Sequence, residues 1–553
     1  MNASLTSEFA GTGTLLRFFL RRDKVRIAVW AASMGAMYLY CMTALADVFG
    51  DTASQQARAS LMRTPASIFM AGPGYGLDHY TLGPTMANEL LLWFCIAVGI
   101  MSILQLVRHT RAEEESGRAE LVRAADVGRH AGTLAALGTV FVANVVIAVV
   151  SFAALQVGSL PQVDNLAYVT SVALTGMVFA GVAAVTAQVT EHARTASGIA
   201  VAVVIASVFV RAAGDMRAVG GSLLSFFSPI GWAQQMRIYV DLRWWPMALS
   251  VASILVLLGI SAWVATRRDF GAGVMTVKPG RADAHASLAS PVALAWTQQR
   301  GSAIAWAVGF AIMFVASGTY LGGDTLESMV GDLVAQNPIV ADVLNPQAIA
   351  ASFGGIMLLM GAVCAMAYGI SAVNRARTEE SAGRAEVVLA APVSRWRWIA
   401  AQLVPGVVVT ALLMVLAAKG LWLGQATTGG TAVSFTQFVG TGLVYIPPIL
   451  AVVGLAVAIY GWVPKLGAVP WIFVAWGLVA GMFGQAFSMP TWVLATNPLL
   501  MQHTTGQTGF YWLPNVILDG PHNWWGLIIL TVLAIALFVL GAAGFRRRNV
   551  PAV

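Results

Sequence analysis

The sequence predicts an all-α polytopic membrane protein: twelve transmembrane helices arranged as two parallel six-helix repeats. Three observations carry that prediction. Of the 553 residues, 58% are apolar and only 10% are charged, too little polar surface to cover a soluble globule of this length. The apolar residues fall in long continuous runs, and about 20 such residues let an α-helix cross the roughly 30 Å hydrocarbon layer, where unpaired backbone groups are not tolerated. Finally, one short charged stretch occurs twice, at matching places in the two halves.

Twelve runs meet the length requirement, at about 25–47, 87–108, 131–157, 166–190, 196–214, 246–266, 302–321, 351–373, 398–424, 436–463, 466–487 and 523–545. The opening TLLRFFLRRDKVRIAVW places arginines inside its apolar stretch with no small-residue cleavage site after it. The first segment is therefore expected to stay in the mature protein.

Cytoplasmic connections carry the excess of Lys and Arg. With both termini cytoplasmic, the inner segments (the N-terminus, 108–130, 191–195, 267–301, 374–397, 461–465 and the C-terminus) hold 25 of the 32 Lys and Arg but only 13 of the 25 Asp and Glu. The expected location is the plasma membrane, multi-pass, with both ends inside. A sequence pI near 9.5 then reports topology and implies no nucleic-acid partner. Arg211, Arg217, Arg237 and Arg243 crowd one outer connection, against this topology. Cys41, Cys95 and Cys364 lie inside apolar runs, and the seven histidines are scattered without ligand spacing, so neither a disulfide framework nor a metal site is expected.

The repeat is explicit. RAEEESGRAELVRAADVGR (Arg111 to Arg129) and RTEESAGRAEVVLAAPVSR (Arg377 to Arg395) agree at 12 of 19 positions without a gap, at an offset of 266 residues. SPIGW at 228–232 answers NPLLM at 497–501, Trp244-Trp245 answers Trp524-Trp525, and Arg267-Arg268 answers Arg546-Arg547. Six crossings return a chain to its starting side, so the halves are expected to be parallel repeats with a pathway between them. The expected domains are 1–266, a first half with its charged segment at 109–130; 267–301, a cytoplasmic linker and second amphipathic segment; and 302–553, a second half with its charged segment at 374–397.

On a continuous helix, Glu113, Gly117 and Glu120 share one face, as do Glu379, Gly383 and Glu386. Glu114 and Arg118 stand four apart, as do Glu380 and Arg384, which predicts intrahelical pairs worth about 0.3–0.5 kcal/mol each. A mid-helix glycine costs about 1 kcal/mol relative to alanine unless something must approach the backbone closely. Gly117 and Gly383 therefore point to a docking surface.

This pattern of acidic residues, a glycine, a further Glu and a small apolar stretch ending in PVSR resembles the cytoplasmic connection of type-2 ABC exporter permeases. The match is fullest at Glu380, Gly383, Glu386, Leu389, Pro392, Val393, Ser394 and Arg395, while Asp126 and Gly128 replace the Pro and Ser in the first copy. The fused two-half chain is similar to the actinobacterial polyketide-antibiotic (tetronasin-type) exporter permeases. The resemblance implies that the segments are coupling helices seated on a separate ATP-binding subunit. It also implies a short amphipathic helix before the first crossing, here LLRFFLRRDK, and re-entrant outer elements at about 218–243 and 488–520. Glu113, Glu114, Gly117, Arg118 and Glu120, with Glu379, Glu380, Gly383, Arg384 and Glu386, are the expected coupling residues.

The chain contains no Gly-Lys dipeptide, so it lacks the loop that holds nucleotide phosphates in P-loop ATPases. ATP and its Mg are expected on the partner, in two copies for two segments, with no cofactor bound by this chain and no catalytic residue in it. One competing reading is a proton-coupled twelve-helix secondary transporter. AADVGRH catches only part of that class's loop pattern, and Glu89 and Asp47 sit near helix ends rather than at mid-membrane, where proton relays lie. The other is a non-transporting membrane assembly driven by an ATPase. For hydrophobic or amphipathic cargo (antibiotics, drugs or lipids), MANELLLWFCIAVGIM and SFGGIMLLMGAVCAM offer Trp93, Phe94, Phe353, Met357 and Met360 as pathway candidates, because methionine and aromatic side chains adapt to varied apolar shapes.

Overall fold

The structure, a computed structural model of the full chain, describes residues 8–48, 71–125, 127–218, 220–269, 271–274, 290–322, 346–483, 490–501, 512–517 and 524–548, with isolated positions at 55–68 and 283–288. The chain divides into two compact units, Met1–Gly280 and Arg281–Val553. Among the described residues, twelve helices are long and apolar enough to cross a membrane, six in each unit. The same residues hold no extended strand, only an isolated bridge between Met501 and Leu513.

The first unit runs through α1 (Thr12–Val48), α2 (Leu82–His109), the short α3 (Arg111–Glu115) and α4 (Arg118–Arg123), α5 (Ala131–Leu155), α6 (Gln162–Val189), α7 (Ala193–Asp215), α8 (Pro229–Gln235) and α9 (Pro246–Ala265). Helix α1 packs along α5, and α2 along α6, which also carries α9. Leu91, Val98, Met101, Tyr168, Val172 and Phe179 build the interior between α2 and α6. The 37 residues of α1 would extend about 55 Å at 1.5 Å per residue. The amphipathic helix expected before the first crossing is thus no separate element but the first turns of this one rod. Arg17, Arg21 and Lys24 are exposed along it while Phe19 is buried.

The second unit comprises α10 (Pro291–Gly318), α11 (Pro346–Ser381), α12 (Arg384–Leu389), α13 (Arg395–Thr427), α14 (Phe435–Val444), α15 (Ile446–Trp462), α16 (Pro470–Phe483), α17 (Thr491–Leu494) and α18 (Trp525–Arg547). Helix α10 packs along α13, and α15 along α18. At the first contact the glycines let two backbones meet, since a Cβ on Gly424 would stand 2.1 Å from the Val315 carbonyl. Small residues serve this purpose where apolar surroundings on every side leave packing as the driving force. Ser394 starts α13 by accepting the Arg397 amide at 3.3 Å, and Pro447 and Pro448, which lack an amide hydrogen, separate α14 from α15 at Tyr445.

Within the first unit one end gathers the start of α1, the α3–α4 segment and the end of α9, and is called the charged end below. At the opposite end, Asn88 clamps the backbone of Tyr75 through its amide and its carbonyl. The Tyr75 hydroxyl donates to the Gly220 carbonyl at 2.7 Å, and burial pushes that phenol up to about 12. Ser228 caps α8, which follows a single-turn helix at Leu223–Phe227. Of the four outer arginines, Arg211 is buried against Asp215, Arg237 and Arg243 share Asp241, and Arg217 is exposed. Within the second expected outer element, residues 488–489, 502–511 and 518–520 lie outside the described residues.

Candidate functional site

The two charged segments have the same backbone plan. In the first, α2 ends at His109, Thr110 breaks the helix, α3 follows, and Gly117 turns the chain at φ 73°, ψ −4° into α4. In the second, α11 continues unbroken to Ser381, and Gly383 turns the chain at φ 73°, ψ −5° into α12. This corrects the single continuous helix expected from the sequence. Glu113, Gly117 and Glu120 do not share a helical face, nor do Glu379, Gly383 and Glu386, because the glycine lies between two helices. A Cβ on Gly117 would meet nothing within 4 Å, so glycine is required for the left-handed backbone, which costs other residues about 1–2 kcal/mol, and not for close approach of another part of this chain.

The pairs expected four residues apart do not form, since the turn removes the helical geometry they need. Glu114 instead accepts from Arg111 at 2.6 Å and from Arg268 at 2.7 Å, both nearly buried. Glu380 is buried and accepts from Arg548 at 2.6 and 2.5 Å and from the Tyr460 hydroxyl at 2.8 Å. In each unit, then, the second glutamate anchors the segment to an arginine just beyond the last helix of that unit. Arg268 and Arg548 are the matching partners, one step along from the Arg267-Arg268 and Arg546-Arg547 correspondence read from sequence. The connection's final arginine repeats the plan: Arg129 donates to the Ala265 carbonyl at 2.6 Å, and Arg395 donates to those of Arg546 and Arg548. Last-turn carbonyls have no intrahelical donor, and arginine supplies one.

The first glutamates differ. Glu113 accepts from Arg22 at 2.8 Å. Arg22 also donates to His109 Nδ1 at 3.1 Å, and His109 Nε2 meets Asp23 at 2.5 Å. That places the ring proton on Nε2, with Phe19 stacked on the ring at 4.4 Å. Glu379 is held by Arg384 through two 2.8 Å bonds and reaches Gln298 only at 3.5 Å. Hydrogen bonding to Glu379 raises the Arg384 pKa further above its ordinary value.

Arg118, Glu120 and Arg384 are exposed, and Glu386 is partly so. Beside them stand two side chains not picked out from the sequence, Leu121 at 78% exposure and Val387 at 75%. They occupy equivalent places in the repeat, each the residue after the segment's last glutamate. The available signal was an apolar residue preserved as apolar within a polar island of both copies. Among the described residues, no group of three His, Cys, Asp or Glu is placed to hold a metal.

A cavity of about 380 Å³ opens beneath the first segment at the charged end, with Phe18, Phe19, Glu113, Val122, Gly132 and Asp269 among its walls. The hollow beneath the second segment is smaller, about 260 Å³. Of the pathway candidates, Trp93 is half exposed, while Phe94 is buried in the first unit's core, stacked on Tyr38 with ring centroids 3.8 Å apart. Phe353, Met357 and Met360 are partly buried, and the first two pack against the second unit's core.

Among the described residues, twelve apolar helices in two six-helix units define a polytopic membrane protein. The family description "Multidrug efflux system permease Rv1217c, C-terminal domain" matches residues 288–546. The chain is 32% identical to the "Multidrug efflux system permease protein Rv1217c" of Mycobacterium tuberculosis (strain ATCC 25618 / H37Rv), over 98% of this chain and 96% of that protein. The chain belongs to the Rv1217c family of multidrug efflux system permeases.

Proposed function

We propose that the chain is the membrane-spanning subunit of an ATP-driven exporter of the type-2 ABC class, close to the tetronasin-type branch. It lies in the plasma membrane with both termini cytoplasmic, and each charged segment seats one copy of a separate ATP-binding subunit. That subunit carries ATP and Mg; this chain binds no cofactor. The relative is named for multidrug efflux, and the cargo proposed for this chain is a hydrophobic or amphipathic compound, an antibiotic, drug or lipid.

One observation carries the reading. Each segment is fixed to its own unit by a buried glutamate–arginine pair and then turned by glycine, so that an apolar side chain, Leu121 or Val387, stands in solvent beside Glu120 or Glu386. A single exposed apolar side chain is ordinary on a protein surface, but this one recurs at the same place in both repeats, and burial against a partner would contribute about 25 cal/mol per Å² of its apolar area. Leu121, Val387, Glu120 and Glu386 are the proposed contacts. Glu114 and Glu380 are positioning residues, with Gly117 and Gly383 as the turn.

The test is co-purification with the ATP-binding subunit, followed by ATPase assay of the Leu121→Glu/Val387→Glu double variant. The expected result is a folded permease whose cargo-stimulated ATPase falls at least tenfold or whose partner is lost. Full association and stimulation in the double variant would refute the proposal. A proton-driven carrier would instead lose transport on collapse of the proton gradient with ATP present.

A further inference from the structure

The two units treat one place differently. In the second, Trp398 is buried in the first turn of α13 and stacks on Phe545, with ring centroids 5.2 Å apart and planes 17° apart. The gap-free offset of 266 residues that relates Arg129 to Arg395 relates Gly132 to Trp398. Phe545 precedes Arg548 by three residues, as Ala265 precedes Arg268, and those two arginines play the same part in the two units. A stacked Trp–Phe pair is therefore replaced by Gly132 and Ala265. Nothing stands within 4 Å of a Cβ built on Gly132, and both residues line the cavity of about 380 Å³. The second unit fills this place with two of its own rings, and the first leaves it open.

We infer that this cavity is a binding site for a planar aromatic ligand, whose ring system takes the place that Trp398 and Phe545 fill in the other unit. The shape follows from the missing stacked pair, and the volume lies in the range of small-molecule sites. The polar groups of the wall are of both kinds. Each nitrogen of Arg268 has a partner, with Nε on Gln188, Nη1 on the Ala272 carbonyl and Nη2 on Glu114. Arg129, exposed, is held on the Ala265 carbonyl. His109 has both ring nitrogens occupied. Glu113 uses one carboxylate oxygen on Arg22, and the Asp269 carboxylate has no side-chain partner among the described residues. Arg129 keeps its other guanidinium nitrogens and the His130 ring lies beside it, so the wall offers donors as well as carboxylate acceptors, and the ligand is selected by the flat space and the neighbouring Phe18 and Phe19 rings rather than by its charge. The site lies directly beneath the first charged segment, inside the first unit.

The experiment uses the full-length purified chain and ethidium monoazide as a photoreactive planar aromatic probe, with labelled peptides mapped by mass spectrometry. The expected result is label on residues 119–133 of the wild-type chain, displaced by unlabelled ethidium. It should fall at least tenfold in Gly132→Trp, which restores the residue the second unit carries, and stay near wild type in Gly132→Ala. Ala265→Phe fills the cavity from the other wall and should also remove the label, which keeps the test sound if Gly132→Trp fails to fold. Absence of label from 119–133 in the wild type would overturn the inference, as would undiminished label in a folded Gly132→Trp. Displacement by phospholipid but not by unlabelled ethidium would identify a lipid chain as the occupant and overturn it equally.

Discussion

The two charged segments share a turn and one anchor but differ in the rest of their attachment. In the first unit the segment is tied through three glutamates: Glu113 to Arg22 on α1, Glu114 to Arg111 and Arg268, and Glu115 to His192 and the Ala193 amide at the start of α7. In the second, Glu379 pairs with Arg384 of its own segment, and it is Glu380 that is ion-paired to the body of the unit, through Arg548, with the Tyr460 hydroxyl beside it. The residue facing Glu379 from the first helix of its unit is the neutral Gln298, at 3.5 Å. The difference lies inward, at the first glutamate and at Glu115, while the second glutamate's anchor, the glycine turn and the exposed Leu121 and Val387 coincide. A shared outward geometry on partly diverged foundations is what two identical partners would require of two diverged halves.

The largest expected effect breaks the deeper anchors. Glu114→Gln leaves Arg111 and Arg268 without their counter-charge, and breaking a buried ion pair from one side costs about 3–5 kcal/mol. Glu380→Gln should cost less, because one arginine rather than two is stranded and Tyr460 can still donate to the amide oxygen. Thermal unfolding of the two purified variants compares them, and equal losses would mean that the second partner of Glu114 contributes nothing. Next comes a tie that only the first unit has. Arg22→Ala should cost about 2 kcal/mol, the scale of a charged hydrogen bond, while Gln298→Ala should stay within about 0.5 kcal/mol. Smaller still, and equal in the two units, is the effect of Gly117→Ala and Gly383→Ala, about 1 kcal/mol each for an imposed left-handed backbone. Unequal values would show that the two turns, alike in angle, carry different loads.

The spans were readable because length and hydropathy are local properties. The third, expected at 131–157, is Ala131–Gly158, and the sixth, expected at 246–266, is Pro246–Ala265. The start of α1 was not, because Arg17, Arg21, Arg22 and Lys24 depress hydropathy in a helix that continues through them, some exposed and Arg22 paired with Glu113. At the site, the positions of Glu114 and Glu380 could be read but their partners could not. The nearest pairing rule offers a residue four away, whereas Arg268 and Arg548 stand 154 and 168 residues away and are brought in by the last helix of each unit. The glycines could be singled out, but a sequence shows that a Cβ is absent without showing whether sterics or backbone angle forbids it, and here both stand at a left-handed angle. Leu121 and Val387 passed unremarked because an apolar residue draws attention only when its exposure is known.

The most direct measurement of the central claim places a single cysteine at Leu121→Cys or at Val387→Cys and cross-links the chain to its co-purified ATP-binding subunit with a short thiol-to-amine reagent, counting partners by mass. The two outward sites should each capture one copy, and the double variant should capture two. Cross-linking at only one position, or at neither while the complex remains intact, would contradict the account.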